Sequence, residues 1–190
     1  MPDVRDVFSV VDWVLVCIRS QPTDPDTACR AGLLLSDATI LDPETWSAEV
    51  RLGPALPGQY HVVVYHRTHL AVMTASRIQL ADGVPSAEAD LTKGAFGAAG
   101  IKQVAPGLFA MVAGDANADG RVLADDYNNV WLPTVGQTGY LLGDFNLDGS
   151  VLANDQQVLW LPNVGVQSTV PGSASALPPS EPVRQPTARR

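Results

Sequence analysis

The feature that most constrains this chain is a segment that occurs twice. Residues 114–136 read GDANADGRVLADDYNNVWLPTVG and residues 143–165 read GDFNLDGSVLANDQQVLWLPNVG. The offset is 29 residues, and 14 of 23 aligned positions are identical. Self-similarity at a fixed offset marks two copies of one supersecondary unit, each too small to bury its own apolar face. The two copies must therefore pack on each other or on a neighbour.

The identical positions are rich in oxygen. Counted from the first aspartate, each copy has Asp, Asn and Asp at positions 1, 3 and 5, Gly at 6, Val at 8 and Asp at 12. These are Asp115, Asn117, Asp119, Gly120, Val122 and Asp126 in the first copy, and Asp144, Asn146, Asp148, Gly149, Val151 and Asp155 in the second. This is the spacing of a calcium loop with Asp in place of the usual closing Glu. Calcium is a hard cation that takes six to eight oxygens at about 2.3–2.6 Å, and short acidic side chains on alternate residues of a tight loop turn inward together. The position-7 carbonyls come from Arg121 and Ser150. Leu123 and Leu152 hold position 9 and offer no side-chain oxygen, so a water completes the shell. Val122 and Val151 are expected to lie alongside each other in a short two-stranded contact that couples the sites. Magnesium, with its smaller octahedral shell, suits the pattern less well.

Charge points the same way. The chain has 20 acidic residues against 12 basic ones, a net charge of -8. Sixteen of the acids are aspartates, and seven of these fall within 114–165 beside a single arginine. Without a cation such carboxylates repel at short range. Two calcium ions are therefore expected to belong to the fold of this segment. The shortage of Glu and Lys argues against a long-helix protein, and the lack of basic clusters against a nucleic-acid partner. No run of eighteen apolar residues exists to span a membrane, and no signal peptide is visible. A cytoplasmic protein and a piece of a longer secreted chain both fit.

After each loop the sequence predicts a helix of about nine residues, starting near Ala124 or Ala153 and stopped by Pro133 or Pro162. Trp131 and Trp160 on the last turns are either the shared core of the pair or part of a surface that docks a partner.

Residues 6–110 read as a mostly β domain, an antiparallel β-sandwich of short strands without intervening amphipathic helices. Candidate strands are Trp13–Ile18, Gly32–Ile40, Ala48–Leu52, Tyr60–His66, His69–Ala75, Arg77–Leu80 and Leu108–Val112. Asp12, polar within an apolar strand, is expected to hydrogen-bond a neighbouring turn. His61, His66 and His69 lack the spacing of a zinc site and read as surface or hydrogen-bonded core histidines. Cys17 and Cys29 leave both a disulfide and two buried thiols open. Residues 166–190, rich in Pro and Ser, are expected to be disordered.

The duplicated segment resembles the type I dockerin family, whose modules consist of two calcium-loop-plus-helix units. The resemblance covers 114–165 and implies a small α module. Its ligands would be Asp115, Asn117, Asp119 and Asp126, then Asp144, Asn146, Asp148 and Asp155. Dockerins attach secreted, typically polysaccharide-degrading enzymes to cohesin domains, with partner contacts at loop positions 10 and 11 and along the helix. Here those positions are Ala124–Asp125 and Ala153–Asn154. The stretches VVDWVLVCIRS, GQYHVVVYHRTHLAVMTA and AGDANADG also resemble C-terminal regions of large secreted bacterial proteins, which implies an extracellular setting.

Two functions follow. One is a non-catalytic extracellular module binding two calcium ions, which attaches to a cohesin-like domain or to an adjacent domain of the same parent protein, or braces it. The other is a small carbohydrate-active hydrolase with its active site in the β domain.

Overall fold

The structure is a computed structural model that describes residues 9–52, 57–81, 88–95 and 100–172. The chain opens with β1 (Val10–Arg19), β2 (Ala28–Leu35), β3 (Ile40–Leu41), β4 (Gly58–His66), β5 (His69–Met73) and β6 (Ile78–Leu80). These form one antiparallel sheet in the order β3-β2-β1-β4-β5, with β6 pairing the first half of β4 and β5 the second. A separate two-stranded ribbon follows, β7 (Ile101–Ala105) and β8 (Leu108–Met111). The antiparallel β class is thus as the sequence predicts. Among the described residues the second layer, however, is a ribbon plus connecting segments and not a full facing sheet.

Alternation along the central strands makes two cores. Val14, Val16 and Ile18 of β1 share one face with Tyr60, Val62 and Val64 of β4, and the ribbon residues Ile101 and Met111 pack against it. Cys17, Val63, Tyr65 and Met73 line the opposite face. Each fully buried aliphatic side chain here contributes on the order of 1.5–3 kcal/mol. Cys17 lies directly opposite Cys29 in the β1–β2 register, and the two are joined by a disulfide.

Three sequence expectations are corrected. Residues 48–52 form no strand; Asp42 organises the stretch instead, accepting backbone N–H groups from Glu44, Thr45 and Arg51. The strand read at 32–40 begins earlier and is split by a turn at 36–38. Residues 166–172 are ordered: Val170 is buried against Cys17 and Val63, and Pro171 O accepts from Arg19 Nη1 at 2.8 Å. Composition alone misses this, because one apolar residue is enough to close that sheet face. The rest of the expected tail, 173–190, lies outside the described residues.

The two helices span 124–134 and 153–163. Each contains a π-helical stretch, Asp126–Trp131 and Asp155–Trp160, before its proline. Leu132 N–H donates to Tyr127 O and Leu161 N–H to Gln156 O, five residues back. A proline has no N–H and its ring collides with the carbonyl four residues earlier, so a widened turn lets Pro133 and Pro162 sit inside the last turn. The prolines therefore do not stop the helices where the sequence predicts.

Candidate metal centre

Each loop is built by its own side chains folding back on its backbone. In the first, Asp115 accepts from the N–H groups of Asp119 and Gly120, Asn117 from Asp119 N–H and Asp119 from Arg121 N–H. Asp126 closes the ring, taking Ala116 and Asn117 N–H on Oδ1 and Leu123 N–H on Oδ2. The second loop repeats this bond for bond. Asp144 accepts from Asp148 and Gly149, Asn146 from Asp148, Asp148 from Ser150 and Asp155 from Phe145, Asn146 and Leu152.

The turns demand left-handed backbone. Gly120 and Gly149 have φ of 82° and 87°, and position 4 is also left-handed, at Ala118 (57°) and Leu147 (62°). A non-glycine residue there costs roughly 1–2 kcal/mol, so the loop's other bonds hold it.

The position-8 valines, both fully buried, do not pair with each other as expected. Val122 exchanges backbone hydrogen bonds with Gly165 and Val166, and Val151 with Gly136 and Gln137. Each loop is thus clasped by the segment that leaves the other helix. The glycine ahead of each loop fits the same exchange. A Cβ on Gly114 would lie 3.2 Å from Trp160 Cδ1, and one on Gly143 would lie 3.2 Å from Trp131 Cα. The bonds flank Arg121 and Ser150 in isolated bridges to Gln167 and Thr138, which leaves their own carbonyls on the side away from the ladder.

Asp115, Asp126, Asp144 and Asp155 are at most 4% exposed. Among the described residues none of them ion-pairs with Lys, Arg or His. Burial, and then the nearby Asp126 carboxylate, push Asp115 up to about 7. Burial also raises Asp126 and Asp144 above the ordinary carboxylate range. A buried carboxylate held only by N–H groups is what a bound cation would neutralise. The donor set of carboxylates, Asn oxygens and backbone carbonyls, with no thiol or imidazole, fits a hard ion such as calcium. The trio Cys17, Asp26 and Cys29 also brings ligand atoms within 4.8 Å of one another, but the disulfide consumes both sulfurs.

Trp131 and Trp160 are 7% and 9% exposed and lie in one core with Val122, Phe145 and Val151. Trp160 Nε1 donates to Leu123 O at 3.2 Å, and Tyr127 lies with its ring centroid 5.0 Å from each tryptophan. Buried, they offer no surface to a partner. The exposed apolar residues of the repeat are instead Leu123, Leu132 and Val135 with their counterparts Leu152, Leu161 and Val164, together with Val158.

The same core contains Leu70 of β5, Val112 and Ala113. Leu70 N–H donates to Val112 O at 2.8 Å and Gly114 N–H to Thr68 O at 2.9 Å. Asn163 donates to Ala113 O at 2.9 Å, and Ser168 to Ala71 O at 3.0 Å.

The sequence also leaves a histidine pair unread. His66 and His69 face each other across the β4–β5 turn, with Nδ1 atoms 2.9 Å apart. Two residues separated by a two-residue turn stand opposite in a hairpin, and that spacing is the signal. His61 is buried with Nδ1 2.9 Å from Thr74 O, as a core histidine should be. Asp12 does bond a neighbouring turn, accepting from Arg67 Nε at 2.8 Å, and His66 Nε2 lies 3.2 Å from the same oxygen. No helix among the described residues is long and apolar enough to cross a membrane. No family model, no curated protein and no solved structure matches this chain.

Proposed function

We propose that the repeat binds two calcium ions, one in each twelve-residue loop, and that the filled repeat braces the β-rich part as a non-catalytic structural module. The observation that carries the calcium reading is the set of four buried carboxylates that form no ion pair among the described residues, disposed identically in two copies. When bound, calcium supplies the positive charge these groups lack. Asp115, Asn117, Asp119, Asp126 and the Arg121 carbonyl would hold one ion, and Asp144, Asn146, Asp148, Asp155 and the Ser150 carbonyl the other. Bracing is supported by the core that Leu70 and Val112 share with both tryptophans. An extracellular setting is supported by the Cys17–Cys29 disulfide, since such bonds persist in oxidising compartments, and by the millimolar calcium outside cells.

Attachment to a cohesin-like partner, as the dockerin resemblance implies, has one observation in its favour. Leu132 and Leu161 are 52% and 55% exposed at equivalent places in the two units. Immobilised cohesin that retains the wild-type chain but not a Leu132→Glu/Leu161→Glu variant would establish attachment; no retention leaves bracing. The hydrolase alternative has less support. The carboxylates Asp12, Asp26 and Asp42 of the β-rich part are each already bound to arginine. Differential scanning calorimetry with and without calcium tests the proposal: an unchanged transition at millimolar calcium rejects it.

A further inference from the structure

The β4–β5 turn is where the repeat hangs on the sheet. Gly114 N–H donates to Thr68 O, so the first loop starts from this turn. Arg67 Nη1 donates to Leu141 O and its guanidinium lies 4.0 Å from the centre of the Tyr140 ring, so the approach to the second loop is fixed there too. Beneath the turn sits a polar cluster. Asp12 Oδ1 accepts from Trp13 N–H at 2.7 Å and from the Tyr140 hydroxyl at 2.8 Å, while Oδ2 faces Arg67 Nε at 2.8 Å and His66 Nε2 at 3.2 Å.

Counting donors fixes the protons. Thr68 N–H donates to His66 Nδ1 at 3.2 Å, and a backbone amide can only donate. His66 Nδ1 is therefore bare and its proton is on Nε2, toward Asp12. His69 Nδ1 lies 2.9 Å from both His66 Nδ1 and Thr68 Oγ1; a proton on it is shared with the bare His66 nitrogen and the hydroxyl oxygen, which accept. A second proton on His66 would set an N–H against two N–H groups inside a site where His66 is 3% and Thr68 0% exposed. A second proton on His69 would add a charge beside Arg67, whose own charge Asp12 already balances.

We propose that His66 and His69 form a proton-sensitive latch, which holds the repeat on the sheet while both rings are neutral and releases the joint when acid charges the pair. The groups facing the rings are Asp12 from β1, Arg67 and Thr68 from the turn, and Tyr140 from the segment between the loops. Asp144 lies near enough to feel Arg67. Burial, and then Asp12, push Tyr140 up to about 12, so it stays a donor throughout. Burial of His69, and then His66, hold that imidazole well below its ordinary range, against the pull of Asp12. The sign follows. A histidine whose folded pKa lies below about 6.5 adds stability that is complete above that pH and is lost as pH falls.

The test is residue-resolved amide exchange on the full chain in saturating calcium, corrected for intrinsic rates, at about pH 7.5 and about pH 5. The expected result is a loss of about tenfold or more in protection at Leu70 and Gly114, whose N–H groups bond across the joint, with Val16 and Val64 in the β1–β4 ladder unchanged. His69→Asn keeps a donor near the Nδ1 place and cannot titrate, so it should abolish the loss. Equal protection at both pH values, or the same loss in His69→Asn, overturns the proposal. Should that variant not fold, the imidazole 15N shifts of the wild type decide: at neutral pH, a protonated His66 Nδ1 overturns the latch and a bare one supports it. The amides report on the joint whether or not calcium binds, so this result stands apart from the calcium reading.

Discussion

The β-rich part and the repeat bury carboxylates by opposite means. Asp12 and Asp42 are almost inaccessible, yet each has arginine at 2.8–2.9 Å as well as backbone N–H groups. Burial would raise both, but the partners outweigh it: His66, Trp13 N–H and Arg67 hold Asp12 far below the ordinary range, and the N–H groups of Arg51 and Glu44, with Arg30, hold Asp42 at about 2. In the repeat the balance reverses, and Asp115 rises to about 7. The same residue type, about equally buried, is paired with arginine in one half and, among the described residues, forms no ion pair in the other. Charge density in the sequence alone does not distinguish these states; the location of the counter-charge does.

The comparison breaks most visibly if Asp12 is removed. Asp12→Ala leaves Arg67 and the Tyr140 hydroxyl without their shared acceptor, and breaking a buried pair costs about 3–5 kcal/mol. Urea unfolding should show that loss with and without calcium. Asp155→Ala should instead act largely through the ion. It should cut bound calcium from two equivalents to one and remove about 2.7 kcal/mol of calcium-dependent stability when calcium is a hundredfold above its Kd. A loss of equal size in chelator would place the role of Asp155 wholly in its three backbone bonds.

Acid should sharpen the contrast. The Asp115 carboxyl, raised to about 7, must shed its proton before it can ligate. Calcium affinity is therefore expected to fall by up to about tenfold per pH unit below that value, as calcium titrations at stepped pH would read out. The metal-free stability carries the opposite sign. A carboxyl raised above the about 3.9 of the unfolded chain contributes stability that is complete at low pH and lost as pH rises through about 7. The smallest effect is conformational. Ala118→Gly and Leu147→Gly relieve left-handed backbone at φ of 57° and 62° and should each raise thermal stability by about 1 kcal/mol. A null result at both would mean the unfolded-state entropy of glycine cancels the relief.

Much of this was legible because it is local. The loop bonds join residues at most ten apart, so spacing alone placed all eight side-chain ligand candidates around two rings. The strands β1, β4 and β5 announced themselves through alternation, and the burial of both faces of β1 from Val14 to Ile18 was visible in its apolar run, although Trp13 ahead of it is exposed. What the sequence withheld was long-range. The crosswise clasp of Val122 by Val166 and of Val151 by Gln137 depends on how two helices pack, which no local pattern encodes. The π-helical turns arise from a conflict between a proline and the helix it ends. The ordered tail segment at 166–170 has a single bridge, at Gln167, and is followed by Pro and Ser, so composition hides it. The histidine pair needed the β4–β5 turn to be read as two residues long.

The proposed function turns on whether the repeat takes up two cations. Isothermal titration of the chelator-stripped full chain with calcium tests it most directly. The account predicts two equivalents bound, with release of protons near neutral pH as Asp115 ionises. Absence of binding at about 1 mM calcium, within reach of the weakest known loop affinities, would contradict it.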